Sequence, residues 1–384
     1  MLDVKVLVVD HNAVLSSDRG LYRALNNMDG IELSLVVPSS WKEHFGKIRF
    51  QPEDGALQVR PASTVFTGRT HRALYPSLGK ILRRIRPAIL YVNSEPEGYL
   101  AWQAVMLRDL LHQNIKVVFD SWRNIDYTSS KFPYKFSWLN ARAERAVLSR
   151  ADHCIAHNEG AREIYEQKGF NKVTVIPPAV DMSIFKRGRD PLDSRMKFKG
   201  FTIGFVGRFI PEKGVEVLLQ AMKSLPFEFT GLLVGDGPAR SLWWNLTREL
   251  HIENSVIWAG AVRHDEIPSY LSMMDVLVLP SSTGTAWKEQ FGRVLIEAMA
   301  CGTPAVGSSS GEIPNVIGDA GLIFQEGDVA QLREHLILLW SNREKKQELS
   351  TRGLERVRSH FSIPVVAEQY RRLFHRLTEG ESRS

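Results

Sequence analysis

Phe201-Thr-Ile-Gly-Phe-Val-Gly207 is an apolar run of strand length, and Arg208-Phe-Ile-Pro-Glu-Lys213-Gly214 follows it as a charged loop. Residues 214–223 then alternate with helical period. Phe229-Thr-Gly-Leu-Leu-Val-Gly235 is a second apolar run. Strand, loop, amphipathic helix and strand in that order make a βαβ unit, whose two strands lie parallel in one sheet.

The same alternation extends both ways. Further apolar runs stand at residues 4–10, 31–38, 88–93, 116–121, 153–158 and 172–176, then at 256–260, 275–280, 304–307 and 321–324. They are rich in Val, Ile, Leu and Phe, as strands buried on both faces must be. Helical patterns at 291–300 and 329–342 lie between the later ones. The pattern completes itself twice, which predicts an α/β fold of two Rossmann-like, doubly wound parallel-sheet domains. Pro177-Pro178 cannot continue a ladder, and the charged, Pro/Gly-punctuated stretch 185–200 leads into the next strand. A hinge is therefore expected at about residues 177–200. The expected domains are residues 1–179, residues 180–362 and a terminal helix over 363–384. That helix, with Val366, Tyr370, Leu373 and Leu377 on one stripe, is left free to pack back on the first domain.

A length of 384 residues, 43% hydrophobic and 24% charged, describes a globular chain of about two domains. A formal charge of +6 suits an anionic ligand or surface without choosing among them. Cys154 and Cys301 are far apart and form no C-x-x-C pair, so neither a disulfide framework nor a structural zinc site is expected. The first strand-like run begins almost at once, without a secretory signal pattern, and no apolar run is long enough to span a membrane. A cytoplasmic chain is expected, with any membrane contact peripheral.

In open α/β sheets, ligands bind beyond the carboxyl ends of the strands. The loop 207–214 has that position. Gly207 allows close backbone approach, Arg208 offers a fork of donors and Lys213 a point charge, next to a helix N-terminus suited to a diphosphate. A solvated loop with two ordinary charges is the competing reading. No G-x-x-x-x-G-K-[ST] string exists. The nearest approach to a dinucleotide fingerprint, Gly235-Asp-Gly237-Pro-Ala-Arg240, has arginine in place of the third glycine.

A second constellation is Lys288-Glu289-Gln290-Phe291-Gly292-Arg293-Val294-Leu295-Ile296-Glu297-Ala298-Met299-Ala300-Cys301-Gly302-Thr303-Pro304. Glu289 precedes a helix and Glu297 lies within it. Two carboxylates so spaced can reach separate hydroxyl groups of one extended ligand, with the helix N-terminus between them for phosphate. Sugar–diphosphate–ribose has that layout. A surface helix with two solvated glutamates is the alternative.

This string resembles the Glu-seven-residues-Glu motif of the retaining family 4 glycosyltransferases, which have the two-domain GT-B fold. Residues 204–214 are similar to that family's phosphate loop. Leu-Val-Gly-Asp-Gly-Pro at 233–238, Asp-Val-Leu-Val-Leu-Pro-Ser at 275–281 and Gly-Glu-Ile-Pro-Asn-Val-Ile-Gly-Asp-Ala-Gly at 311–321 are similar to further family segments. The resemblance implies two domains facing a cleft. It implies that Arg208 and Lys213 bind the donor diphosphate, that Glu289 holds sugar hydroxyls, and that Phe291 and Gly292, leading into Arg293 and Val294, offer backbone N–H groups. It places Glu297 on the ribose, and Val262 and Arg263 beside the base.

The first half departs from that family. The loop after the first strand reads Asp10-His11-Asn12-Ala13-Val14-Leu15-Ser16-Ser17-Asp18-Arg19-Gly20 where many members carry Gly-Gly, and Asp120-Ser121-Trp122-Arg123-Asn124 stands where many carry histidine. His11, Asp120, Trp122 and Arg123 are the acceptor-side candidates. Trp122 and Arg123 are suited either to stacking on a sugar or lipid phosphate or to simple packing. His153 and His157 read as structural. The basic stretch 69–86 and the run Lys131-Phe-Pro-Tyr-Lys-Phe-Ser-Trp138 suit an anionic membrane as well as they suit solvated faces. Nucleic acid is not expected, because no recognition motif accompanies the charge.

The resulting expectation is a retaining, metal-independent hexosyltransferase. It would use a nucleotide-diphosphate sugar as co-substrate, a glycan or lipid-linked acceptor and no other cofactor, at the inner face of the cytoplasmic membrane, in surface or exopolysaccharide synthesis. No D-x-D string occurs, so metal bridging of the diphosphate has no support and the two cations replace it. A nucleotide-sugar epimerase, a non-catalytic sugar-nucleotide binding module and a dehydrogenase are the rivals, in that order.

Overall fold

The computed structural model describes residues 3–43, 46–112, 114–127, 138–188 and 198–379. Residues 131–137 of the aromatic–lysine run and residues 189–197 of the expected hinge lie outside them. The chain divides into two compact units. One comprises Met1–Ala179 with Ile363–Ser384, the other Val180–Ser362.

The first unit holds β1 (Val4–Val9), β2 (Ile31–Pro38), β3 (Ser40–Glu43), β4 (Gly46–Arg49), β5 (Gln58–Ala62), β6 (Ile89–Val92), β7 (Lys116–Ser121), β8 (His153–Ala156) and β9 (Val173–Val175). Its main sheet runs β5-β2-β1-β6-β7-β8-β9 with parallel pairings. Strand side chains alternate between faces. Val4, Val6 and Val8 therefore join Leu33, Leu35, Ile89 and Tyr91 on one face. Leu7 and Val9 join Val36, Leu90, Val92 and Phe119 on the other. The helix Ile363–Glu379 completes the first of these cores with Val366, Ala367, Tyr370, Leu373 and Phe374, and the Tyr91 and Tyr370 hydroxyls stand 3.4 Å apart.

Three strands of this unit carry no strand signal in the sequence. β5 contains Pro61, which cannot donate to a ladder, and it lies at the sheet edge where that loss is tolerated. β3 and β4 pair as a small antiparallel hairpin. Trp41 of the hairpin is buried with Val14 and Ala73 in a separate small cluster.

The second unit holds β10 (Phe201–Val206), β11 (Phe229–Val234), β12 (Val256–Gly260), β13 (Val276–Leu279), β14 (Ala305–Ser308) and β15 (Leu322–Phe324), in the order β12-β11-β10-β13-β14-β15 with parallel pairings. Order reverses beside β10, so the loops after β10 and β13 flank a topological switch point. Every residue of β10 is buried. Among the described residues, no helix is long and apolar enough to cross a membrane.

Side-chain caps close two helices of this unit. Asp328 and Asn342 accept hydrogen bonds from Gln331 and Lys345 at 2.9 and 2.8 Å and close their own helices. The helices Val215–Lys223 and Arg293–Ala300 start instead from Gly214 and Gly292, at φ 62° and 80°, with no side-chain cap. Left-handed backbone there moves the helix starts to Val215 and Arg293, one and two residues later than the apolar period suggests. Their first N–H groups have no partner within the helix.

Candidate active site

Both open helix ends lie at the carboxyl ends of β10 and β13. In the loop after β10, Phe209 is fully buried against Phe205, Trp243 and Trp258, and its N–H and carbonyl bond Asp236 and Ala239 at 2.9 Å. That anchor leaves the neighbouring Arg208 exposed, and no described residue pairs with its guanidinium. Gly214 packs directly on Pro280. A Cβ there would stand 2.1 Å from the Pro280 carbonyl oxygen, so the close approach requires glycine.

This approach brings Lys213 to Glu289 across 76 residues of sequence. Lys213 Nζ donates to Glu289 Oε2 at 2.6 Å, and Ser281 Oγ donates to the same oxygen at 2.7 Å. The Lys213 ammonium also stands 5.3 Å from the Trp287 ring centroid. Glu312 N–H donates to the Glu289 carbonyl at 3.2 Å, and a Cβ on Gly311 would lie 2.0 Å from that carbonyl oxygen. Glu289 is therefore fixed through both its backbone and its carboxylate. Phe291 is buried against Phe361 at 5.8 Å, Arg293 is exposed, and Val294 is half-buried beside the open helix end.

Glu297 lies within the helix Arg293–Ala300 and is buried, with its side chain 7% exposed. His264 Nε2 lies 3.1 Å from Glu297 Oε1, and a carboxylate only accepts, so the ring nitrogen donates. Arg263 points to solvent and pairs with Asp265, while its N–H bonds Glu266 at 3.0 Å. Val262 beside it is half-buried. At these strand ends the second unit thus offers a guanidinium with no partner among the described residues, a Lys–Glu pair, the helix starts at Gly214 and Gly292 without side-chain caps, and a buried carboxylate. That set can hold negative charge between two groups of hydroxyls. Sequence reading missed Ser281, Trp287 and His264. Ser281 had a signal, because it directly follows a strand; the other two become neighbours only through folding.

The first-unit candidates do not form one group. His11 is buried with its ring 5.0 Å from Trp41. Asp10 beside it accepts from Asn12 N–H and Tyr22 Oη at 2.8 and 2.7 Å, and burial raises its pKa. Asp120 at the end of β7 meets His157, whose Nδ1 faces the Ile176 carbonyl at 2.9 Å and whose Nε2 faces Asp120 Oδ2 at 3.1 Å. Nδ1 must donate to that carbonyl. The two ring nitrogens of His157 thus bridge the Ile176 carbonyl and the Asp120 carboxyl. The Trp122 ring packs on His157, with centroids 4.3 Å apart and planes tilted by 37°.

Arg123 has no exposed side-chain surface. It is paired with Glu97 at 2.5 Å and Glu144 at 2.6 Å, and it lies 4.8 Å from the Tyr127 ring. Its charge serves the interior, and stacking on a ligand from solvent is closed to it. Lys168 also reaches Glu144, at 2.8 Å. None of these carboxylates was read from sequence, since their partners are distant along the chain.

Glu95 belongs to the same network and accepts from Ser121 Oγ at 2.6 Å and Trp122 N–H at 2.8 Å. Desolvation, reinforced by Glu97, pushes its pKa up to about 7. A carboxyl raised in the folded state favours folding below its unfolded pKa and loses that contribution as pH rises through the folded one. The expected result is that Glu95→Gln removes about 1–3 kcal/mol of the stability lost between pH 4.5 and 7. Urea unfolding at pH 5 and 8 measures it, and equal pH dependence in both proteins would exclude the assignment.

Comparison with known proteins follows this division. Residues 19–184 match the family Glycosyltransferase Family 4, and residues 191–356 match Glycosyl transferases group 1. The chain is 34% identical over 174 residues to N-acetyl-alpha-D-glucosaminyl L-malate synthase of Bacillus anthracis, covering 44% of each chain. It is 32% identical over 171 residues to 2-deoxystreptamine glucosyltransferase of Streptomyces kanamyceticus, covering 42% of this chain and 43% of that one. The matched stretch thus spans less than half of these curated relatives. Among solved structures, Anabaena HepE in complex with UDP superposes with a TM-score of 0.70 at 17% identity over 97% of this chain and 99% of that one. Sucrose-phosphate synthase from Thermosynechococcus elongatus gives 0.69 at 21% over 98% and 100%. At such identities the likeness is one of fold.

Proposed function

The chain pairs a Glycosyltransferase Family 4 half with a group 1 half and belongs with the GT-B glycosyltransferases, and from that premise we propose that it moves a hexosyl group from a nucleotide-diphosphate sugar to a glycan or lipid-linked acceptor. The observation that carries this reading is the Lys213–Glu289–Ser281 cluster set between two helix N-termini that lack side-chain caps. Arg208 and the open N–H groups supply a diphosphate site, worth most where charge develops on the leaving group. Glu289 takes sugar hydroxyls and Glu297 takes the ribose. Phe291 to Val294 carry the helix N-terminus, and Val262 and Arg263 border the base. The UDP bound to the similarly folded HepE supports a nucleotide donor.

Transfer proceeds with retention and without a metal, the leaving phosphate assisting the acceptor hydroxyl and the cations offsetting its charge. We place the reaction in surface or exopolysaccharide synthesis at an anionic membrane face. Residues 55–94 support peripheral contact there. They contain Arg60, Arg69, Arg72, Lys80, Arg83, Arg84 and Arg86 and no Asp or Glu.

A panel of UDP-, GDP- and ADP-sugars, read by thermal shift and nucleotide release, tests the reading. One donor should raise the melting temperature and release its nucleotide only with acceptor present. Conversion of the donor sugar without acceptor would favour an epimerase, and binding without turnover would favour a binding module.

A further inference from the structure

We infer that His264 is a positioning residue for Glu297 and that, through it, the protein distinguishes ribose from 2′-deoxyribose in the nucleotide it binds. The inference rests on the proposed role of Glu297 at the ribose. Glu297 lies on a buried helix face, yet its carboxylate Oε1 is tethered by a single described side chain, His264 at 3.1 Å. His264 itself is 55% exposed. It is therefore not a core histidine that needed a partner.

The loop that carries His264 is held in place on both sides. Arg263 N–H bonds Glu266 at 3.0 Å, Glu266 N–H bonds the Arg263 carbonyl at 3.0 Å, and Ile267 N–H bonds the His264 carbonyl at 3.3 Å. The imidazole lies 5.2 Å from the Phe185 ring at 57°. With backbone and ring both fixed, its Nε2–H sets the plane of the Glu297 carboxylate.

A carboxylate has about four acceptor directions. One tether on Oε1 leaves the rest of the group to accept two neighbouring hydroxyls at fixed spacing. Without the tether the carboxylate turns, and ordering it again opposes binding of the diol. A deoxyribose, offering one hydroxyl, needs that order less. His264 thus adds more to binding of the ribonucleotide than to binding of its deoxy analogue.

Calorimetry on the full chain with UDP and 2′-deoxy-UDP, and in parallel GDP and 2′-deoxy-GDP, tests this. The wild type should prefer the ribose form by roughly tenfold or more, the scale of one charge-assisted hydrogen bond. His264→Ala should reduce that ratio at least about threefold, whereas His264→Gln, which keeps a donor, should restore most of it. In a Glu297→Ala background, His264→Ala should change nothing further. An unchanged or increased ratio in His264→Ala, an equal change in the Glu297→Ala background, or no ribose preference in the wild type would overturn the inference. Failure of the wild type to bind any of the nucleotides would be read separately, as failure of the proposed function.

Discussion

Arg208→Ala and Glu289→Ala are each expected to lower kcat for hexosyl transfer by roughly 10²–10³, the scale for loss of one preorganised charge contact at a reacting centre. The two variants should reach that loss by different routes. Arg208 is exposed and has no partner among the described residues, so its charge is available to a ligand. On the proposed reading its removal takes away stabilisation of the leaving diphosphate, and both kcat and nucleotide affinity should fall. Glu289 is bonded by Lys213 and Ser281. Removing its carboxylate frees the Lys213 ammonium to lean toward phosphate. Glu289→Ala should therefore bind the free nucleoside diphosphate at least as tightly as wild type while turning over far more slowly. Steady-state kinetics with calorimetry on the product nucleotide separate the cases. Near-normal turnover in both variants would sink the donor-site assignment.

The same pair shows what sequence can and cannot carry. Glu289 and Glu297 were legible because glycines frame their helix within one short segment, and a local pattern survives without coordinates. The Lys213–Glu289 contact was not, because it spans 76 residues and depends on Gly214 resting against Pro280. Strands buried on both faces, such as β1 and β10, announce themselves by composition. β5 did not, since an edge strand tolerates Gln, Arg and Pro. In the first unit, Asp120 stands out as a strand-end carboxylate and Trp122 as a residue suited to stacking or packing, and the structure joins them through His157, which reads as structural in the sequence. Arg123 reads equally as a stacking or a packing residue, because its place in the sequence says nothing about whether its charge faces solvent or the interior.

Replacing Arg123 by Met should destabilise the protein by about 3–5 kcal/mol, the cost of breaking a buried ion pair from one side. Methionine keeps much of the side-chain volume, so the loss measures charge more than cavity. The Arg123 side chain is 0% exposed, and those of Glu97 and Glu144 are 3% and 6% exposed, so without it water cannot easily compensate either carboxylate. Lys168 still reaches Glu144 at 2.8 Å, which makes Glu97 the group left most exposed to the loss. It follows that Glu97→Gln, harmful alone, should recover part of the deficit when combined with Arg123→Met, because it removes the charge that has lost its partner. Buried carboxylates without a counter-charge take up protons. The deficit should therefore be largest at pH 8 and smaller at pH 5, where protonation relieves the repulsion with Glu95. Urea unfolding of the single and double variants at both pH values decides the matter. A loss below about 1 kcal/mol, the scale of an exposed pair, or a double variant no better than Arg123→Met would show that Arg123 does not hold this interior together.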